Sequence, residues 1–536
     1  MRQVVSAPVV DHLLFCTRDK VAVRCFQLMC SRVKRTWPIE ASDLQRVRKF
    51  VVLNCLSGKK FFMENLTAAV LKKFLCWLLE FSFSRLKYFA DKECRKMSLK
   101  FIKLLLPLGE SVPTFENTLS ERMKHFQHDW PLLLISCLGE EFANNQDLAL
   151  EILNAFPRHL LSIVDFPAVF ESSIAMAESS KLADVSSASY LIRFVTLNCP
   201  TLLLPNVIVS NVDLNRFACT ERNLAVVLHF LSNRLLVQYR KEQASPSGRF
   251  SFHGIIRCIT GIVSECRFRK LDSAYVADHL QHLVVTCKAI CSIVSQAVNY
   301  SSPEGYIPLE YGEEDYAPQS FLVNCWRSLK EINELFELIF SCYAETLPDQ
   351  TKSAILSHFF RMFAQNRHMG LTQASSGPLL KLCVSMSGSK LGFDTIQRWI
   401  STLKEMIKVE SPLFCDTRRS AGLPVIFRVC LEATLRGSHL FFDETTKFLM
   451  DGVSSSSTMG VKSQVHCLNI LRMIFRESVF HKFVGPFIGD ALVASIASLG
   501  SGHWPLRNAA ILFYSAVMQR TFGAPAAGVY VPDNNR

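Results

Sequence analysis

The chain has 536 residues, of which 49% are hydrophobic, while Gly and Pro contribute only 22 and 21 residues. This composition excludes a collagen, a disordered protein and a small disulfide-rich protein. The remaining possibilities are three or four ordinary domains or one long repeat array. The longest uncharged run, Phe194–Val212, contains Pro200 and Pro205, so we predict no transmembrane segment. The first residues lack the apolar stretch of a signal peptide, and we expect a cytoplasmic protein.

Cysteine and histidine patterns in the sequence do not indicate a metal site. The 19 Cys are scattered without a C-x-x-C pair, and we expect buried free thiols. Two His-x-x-His pairs, His125/His128 and His279/His282, have a helical spacing that puts each pair on one face. Because two ligands are an incomplete set for zinc, we predict that no metal is bound.

Positive charge is concentrated at the N-terminal end. The net charge is +12, but residues 1–103 hold 21 Lys or Arg against 8 Asp or Glu, and the rest of the chain is close to neutral. A positively charged N-terminal region followed by a neutral one is typical of proteins that bind phosphate groups, and equally typical of a solvent-exposed helical surface. Binding to a membrane surface is a weaker third alternative. The basic patch that we single out comprises Arg32, Lys34, Arg35, Arg46, Arg48 and Lys49.

From about residue 66 onward, apolar residues recur at three and four positions, as they do in amphipathic helices. One face carries Leu224, Val227, Leu228 and Leu231, and residues 355–363 repeat the pattern. Strand signals are nearly absent. The pattern predicts an all-α fold, specifically an α-solenoid of degenerate HEAT- or armadillo-like repeats.

Changes in composition divide the chain into five predicted segments. They are basic helical repeats at 1–200, further helical repeats at 201–300, an acidic and Pro-containing loop at 301–319, a core region of helical repeats at 320–523, and an irregular tail at 524–536. Loops of this length on a solenoid project from one edge and often contact partners, and we favour that role for the acidic loop.

The sequence lacks the glycine-rich turns that bring a backbone close to a cofactor or nucleophile. G-x-G-x-x-G, G-x-x-x-x-G-K-[ST], G-x-S-x-G and H-E-x-x-H do not occur. We therefore predict no catalytic residues and favour a binding module or scaffold over an enzyme.

Polar motifs interrupt the apolar helices of the second half. In Cys325–Glu331, a helix would place Arg327 and Glu331 one turn apart, so an ion pair is available, and Lys330 lies beside them. Arg418 and Arg419 precede small residues and a Pro, and their guanidinium groups offer bidentate forks to phosphate or carboxylate. An internal ion pair with Asp416 or Glu432 is the alternative for these two arginines.

Two further motifs follow. In Gln464–Arg472, His466 and Asn469 share a helix face and suit either a ligand or an inter-helix hydrogen-bond ladder. Trp504–Asn508 opens the last helix and adds Arg507 and Asn508 as candidates for partner or RNA binding. We expect Trp326 and Trp504 to be core anchors.

Five of these motifs, in this order, resemble the thyroid adenoma-associated protein (THADA) family. The resemblance covers about residues 300–525. Members of that family are longer, so the ending near Gly523 is expected to be a truncation. The matching motifs are Pro303–Gly305, Cys325–Glu331, Arg418–Pro424, Gln464–Asn469 and Trp504–Asn508.

The resemblance implies an auxiliary subunit without catalytic residues. It would pair with a separate methyltransferase that binds S-adenosylmethionine, and it would direct 2′-O-methylation of ribose in the tRNA anticodon loop. A helical-repeat adaptor that binds only protein is the alternative from a different class. Salt dependence of tRNA binding separates the two, because only the first predicts a steep loss of affinity as salt rises.

Overall fold

Helices follow one another through the computed structural model. It describes residues 7–14, 78–86, 91–111, 130–156, 158–200, 218–244, 251–271, 273–299, 318–414, 420–435, 439–454 and 457–523, with five single positions between 21 and 49. Within these ranges the chain is helical or in connecting turns and forms no β-strand. The prediction of an all-α fold is confirmed for this part of the chain. The predicted tail and most of the acidic loop lie outside it.

The chain divides into two compact units, residues 1–203 and 204–536. In the first unit α4 packs against α2, α3 and α6, and α5 packs against α6. Asp165 caps α5 by accepting a hydrogen bond from the Ala168 amide at 3.0 Å. The described helices of this unit include α1 (Ala7–Leu14), α2 (Lys92–Ser111), α3 (Trp130–Leu138), α4 (Ala143–Asn154), α5 (Phe166–Ala177) and α6 (Leu182–Asn198).

The second unit contains longer helices. They are α7 (Cys219–Ala244), α8 (His253–Phe268), α9 (Ser273–Asn299), α10 (Pro318–Tyr343), α11 (Asp349–Gln365), α12 (Met369–Ser387), α13 (Lys390–Lys408), α14 (Leu423–Thr434), α15 (His439–Val453), α16 (Val461–Arg476), α17 (Ile488–Leu499) and α18 (Trp504–Phe522). The predicted apolar faces at 224–231 and 355–363 are buried in α7 and α11, as the spacing predicts.

Even-numbered helices of the second unit form a continuous row, which we call the even row. Each even-numbered helix from α8 to α16 packs against the next even-numbered helix, so the row ends at α18. The odd-numbered helices pack on this row. Helix α14 lies in the middle of the row and is buried except at Arg428 and Glu432. These two side chains pair with each other at 2.8 Å, one helical turn apart.

One described helix is apolar enough to pass a composition test for membrane spans. The segment Tyr275–Val298 of α9 is long and apolar enough by length and hydropathy alone. In the structure α9 packs against α7, α10 and α11. Core helices pass the same test, so this helix is weak evidence for a membrane span.

Candidate functional site

The residues predicted to bind a partner or RNA fall into three groups in the structure. Arg418 and Arg419 lie outside the described residues, as do Arg32, Lys34, Arg35 and Arg48 of the basic patch. Arg46 of that patch pairs with Asp11 through two hydrogen bonds of 2.6 and 3.2 Å. Lys49 is exposed. The remaining predicted residues lie on the even row.

The chain is anchored on both sides of the segment 415–419 by the same side chain of α16. His466 is 2% exposed, and its Nδ1 lies 2.7 Å from the Ser420 hydroxyl. The ring of Phe414 contacts His466 edge-on, with centroids 5.5 Å apart. Asn469, one turn further along, donates to the Ser420 hydroxyl at 3.0 Å. We call this arrangement of Phe414, Ser420, His466 and Asn469 the arginine-loop seat.

The backbone of the seat has an unusual conformation. Ser420 and Ala421 have φ values of 62° and 43°, in the left-handed region that is costly for residues with a side chain. A Cβ added to Gly422 would lie 2.3 Å from the carbonyl oxygen of Phe363 in α11. The absence of a side chain at Gly422 therefore permits close approach to α11.

A second pair of contacts fixes the beginning of the same connection. Glu410, with a φ of 49°, accepts a hydrogen bond from the Lys462 amide at 3.2 Å in the first turn of α16. The Ser463 hydroxyl donates to the Ile407 carbonyl at 2.5 Å. The connection from α13 to α14 is thus held on α16 at both ends.

His466 and Asn469 consequently hold Ser420 in place. Both are buried, and both form a hydrogen bond with the Ser420 hydroxyl. Of the two sequence-based interpretations, the geometry favours the inter-helix hydrogen-bond ladder. Because the His466 ring is not at the surface, any contribution of His466 to binding, as predicted, would be made through Ser420.

A second cluster of polar residues joins α8 to α10; we call His253, Arg257, Arg327, Lys330 and Glu331 the α8–α10 cluster. Glu331 is buried, and its Oε1 accepts from Lys330 at 2.9 Å and lies 3.4 Å from Arg257 Nη1. Lys330 also pairs with Glu334 at 2.9 Å. Glu331 therefore forms ion pairs, as expected, and they join it to Lys330 and Arg257.

Burial and neighbouring charges shift the pKa values of three members of this cluster. Burial lowers the pKa of Lys330, but Glu331 and Glu334 outweigh burial and leave it raised. Burial, followed by the Glu334 charge, raises the pKa of Glu331. Burial together with Arg327, Lys330 and Arg257 lowers the pKa of His253 to about 4. At neutral pH this imidazole is uncharged beside three cations.

The two tryptophans behave differently from each other. Trp326 is half-buried and stacks on His368, with ring centroids 5.4 Å apart. Trp504, at the first position of α18, is 63% exposed. The expectation that Trp504 anchors the core is wrong, because the core-facing side of α18 begins at Leu506. Beside it, Arg507 donates to the Ser501 carbonyl at 2.6 Å, and Asn508 is exposed.

Sequence reasoning missed His253 and Arg257. His253 is the first residue of α8 and Arg257 the fifth, and this spacing of four places them on one helix face. Neither belongs to a recognisable motif. Their significance depends on α10, which lies about 70 residues later in the chain and brings Arg327 and Lys330 to the same face.

The chemistry of the described core does not favour nucleophilic catalysis. Burial raises the pKa of the Cys137, Cys258 and Cys287 thiols to about 12, so they remain protonated at neutral pH and are poor nucleophiles. Within the described residues no group of three His, Cys, Asp or Glu side chains could hold a metal ion. The described residues define an all-α protein of packed helices with buried polar anchors and half-buried cations along one row.

Comparisons with known proteins agree on one family. A family model described as THADA/TRM732, DUF2428 matches residues 278–505. A relative from Canis lupus familiaris, named tRNA (32-2′-O)-methyltransferase regulator THADA, is 22% identical and covers 100% of this chain and 34% of its own length. The Gallus gallus protein of the same name is 23% identical over 97% of this chain and 34% of itself. The Schizosaccharomyces pombe tRNA (32-2′-O)-methyltransferase regulator trm732 is 21% identical over 80% and 29%.

The chain is thus similar to the THADA/TRM732 family, through a family model that covers residues 278–505 and through relatives that align along most of its length. It spans about a third of the length of the curated relatives it matches. The family match includes the arginine-loop seat and most of the even row, and it begins after the His253 end of the α8–α10 cluster.

Proposed function

We propose that this chain is a non-catalytic regulator of a tRNA 2′-O-ribose methyltransferase. It binds the methyltransferase and the tRNA, and it directs methylation in the anticodon loop, while S-adenosylmethionine binds to the partner. The observation that supports this most is the alignment of relatives named as such regulators along nearly the whole chain. We further propose that the even row is part of an α-solenoid of HEAT-like repeats and that the protein acts in the cytoplasm.

A scaffold that recognises tRNA by shape needs cations placed at fixed points against the phosphate backbone. The arginine-loop seat supports such a role, because it holds Phe414 and Ser420, the described residues on either side of Arg418 and Arg419, against His466 of α16. A pair of guanidinium groups offers bidentate contacts to phosphate.

The double variant Arg418→Ala with Arg419→Ala tests this role. If the two arginines contact tRNA or the methyltransferase, methylation by the reconstituted complex is lost, while the melting temperature changes little, since surface substitutions alter stability by about 0.5 kcal/mol or less. If they are internal partners of a carboxylate, activity and melting temperature fall together, because a stranded buried charge costs about 3–5 kcal/mol. The second result contradicts the binding role.

The basic patch is tested in the same way. Reversing Lys34, Arg35, Arg48 and Lys49 to Glu is expected to weaken tRNA binding and to reduce the slope of log affinity against log salt by roughly one unit per lost contact. Unchanged affinity and slope mean that these charges serve only as a solvated surface.

An adaptor that binds only protein is the second candidate, and exposed apolar side chains on α17 and α18 favour it. Val493 is 69% exposed, Ile496 53% and Trp504 63%. Such residues are typical of protein contacts. Tight binding of the methyltransferase with no measurable, salt-dependent tRNA binding supports the adaptor and contradicts the tRNA-binding part of the first proposal.

A further inference from the structure

The C-terminal end of α8 carries the most exposed large hydrophobic side chain among the described residues. This side chain is Phe268, which is 82% exposed. Arg267, Arg269 and Lys270, on either side of it, are exposed as well. We call the four residues Arg267–Lys270 the α8 tip. Single apolar residues are common on protein surfaces, so what distinguishes Phe268 is the row of cations around it.

Backbone hydrogen bonds hold the α8 tip in one conformation. Three consecutive amides after Phe268 donate to carbonyls of the last turn of α8 at 3.0 Å; they belong to Arg269, Lys270 and Leu271. Cys266 and Leu271 are buried on either side of the tip, so the chain between them is turned outward. Lys270 has a φ of 53°, a left-handed conformation for which glycine is the usual residue at a helix end. The exposure of Phe268 therefore follows from a defined backbone.

Two cations of the α8 tip are available to a ligand. Arg269 and Lys270 are exposed, and neither pairs with another side chain in the part of the chain that the structure describes. Arg267 is engaged differently, because it donates to the sulfur of Cys342 in α10 at 2.8 Å. The tip thus offers one aromatic ring and, directly after it, two unpaired positive charges.

An exposed aromatic ring beside free cations is the arrangement with which proteins bind unpaired nucleotides. A base stacks on the ring, and the cations contact the phosphates of the backbone. Cations at the end of a helix also stabilise its dipole, but this effect does not account for the exposed ring. Basic segments that bind anionic lipids contain about four to eight Lys or Arg, and the tip has three. Single-stranded RNA is therefore the occupant that the tip fits best.

We propose that the α8 tip binds single-stranded RNA, with an unpaired base stacked on Phe268 and the neighbouring phosphates bound by Arg269 and Lys270. The identification of this RNA as the unpaired anticodon loop of tRNA rests on the proposed function, whereas binding of a single strand rests on the tip alone. The tip lies before residue 278, where the family match begins, so the site is additional to the matched region.

The first test separates stacking from attraction by charge. The full chain is titrated against a short labelled RNA that cannot pair with itself, and against the same strand with abasic riboses, by fluorescence anisotropy. We expect Phe268→Ala to weaken binding of the base-containing strand about tenfold and to leave the abasic strand unaffected. Phe268→Tyr keeps a ring and should bind like wild type, whereas Phe268→Leu keeps only apolar character and should bind like Phe268→Ala.

A matched control for this test lies at the end of α18. Phe522 is 76% exposed, and Phe522→Ala should bind both strands as wild type does. Equal affinity of wild type and Phe268→Ala for the base-containing strand overturns the site. Equal affinity of the wild type for both strands, or no binding of either, overturns it as well.

The second test addresses the phosphate contacts. Arg269→Gln with Lys270→Gln removes both charges and keeps a Cβ at each position. We expect weaker binding of both strands, and a slope of log affinity against log salt that is smaller by about 0.7 for each lost contact. Arg361→Gln with Lys390→Gln, which removes exposed cations of α11 and α13, is the control and should retain the slope. An unchanged slope in the tip variant contradicts the contacts.

The remaining outcomes distinguish this site from a membrane contact and from the proposed function. If vesicles of phosphatidylcholine and phosphatidylserine bind wild type and Phe268→Leu but not Phe268→Ala, while RNA binding is the same in all three, the tip is a membrane contact and the RNA site is overturned. If Phe268→Ala loses RNA binding but the wild-type chain does not increase tRNA methylation, the proposed function fails and the site stands. If the chain increases methylation and Phe268→Ala binds RNA like wild type, the site fails and the proposed function stands.

Discussion

The arginine-loop seat depends on one hydroxyl group, and removing it is the sharpest test of the seat. In Ser420→Ala, the buried Asn469 amide loses its acceptor at 3.0 Å, and His466 Nδ1 loses its partner at 2.7 Å. An unsatisfied buried polar group costs about 1–3 kcal/mol, so we expect the free energy of unfolding to fall by about 2–4 kcal/mol. Urea denaturation measures this change.

Backbone conformation gives the same experiment an internal check. Ser420 has a φ of 62°, where a residue with a Cβ is disfavoured by about 1–2 kcal/mol relative to glycine. Ser420→Gly removes the hydroxyl and this penalty together, so it should be less destabilising than Ser420→Ala by about 1 kcal/mol. In the control Ser376→Ala, the lost bond joins the Ser376 hydroxyl to the Gln373 carbonyl within α12 at the surface, and the change should not exceed about 0.5 kcal/mol. A Ser420→Ala protein as stable as this control would refute the seat.

Three further predictions concern other anchors. Gly422→Ala should destabilise by about 1–3 kcal/mol, because its Cβ would lie 2.3 Å from the Phe363 carbonyl oxygen, and thermal unfolding measures it. Arg520→Ala should cost about 1–3 kcal/mol, because Arg520 donates to the Phe475 and Glu477 carbonyls at the end of α16 at 2.8 and 2.7 Å; a change under 0.5 kcal/mol contradicts this. Between pH 7 and pH 5 the free energy of unfolding of the wild type should fall by about 2 kcal/mol relative to that of His253→Gln. Urea unfolding at both pH values measures this difference.

The sign of the pH effect follows from the direction of the pKa shift. Burial and three neighbouring cations lower the pKa of His253 to about 4 from its ordinary value of 6.5. Between these values the unfolded chain binds a proton that the folded chain does not, so stability is present above about pH 6.5 and is lost as pH falls toward 4. A parallel pH dependence in wild type and variant would contradict this placement of His253.

Periodicity predicted the helices well, because burial of one helical face is a local property. The faces of α7 and α11 are buried as their spacing indicates, and the small residue Gly422 does sit against a neighbouring helix. Sequence also paired His466 with Asn469, since three-residue spacing alone puts both on one face.

What sequence could not supply depends on contacts between distant segments. His466 acts on Ser420, 46 residues earlier, and Glu331 binds Arg257, 74 residues earlier. Trp504 was expected inside the core because of its residue type, yet the helix phase set by Leu506 and Phe513 leaves it exposed. Neither partner choice nor helix phase can be read from a single motif.

Methylation of tRNA in a reconstituted system tests the central claim most directly. Purified chain, the co-purifying methyltransferase, tRNA and S-adenosylmethionine are combined, and 2′-O-methylation in the anticodon loop is measured with each component omitted in turn. The regulator function predicts methylation only when the chain and the methyltransferase are both present, with none from the chain alone. Equal methylation with and without the chain would contradict it.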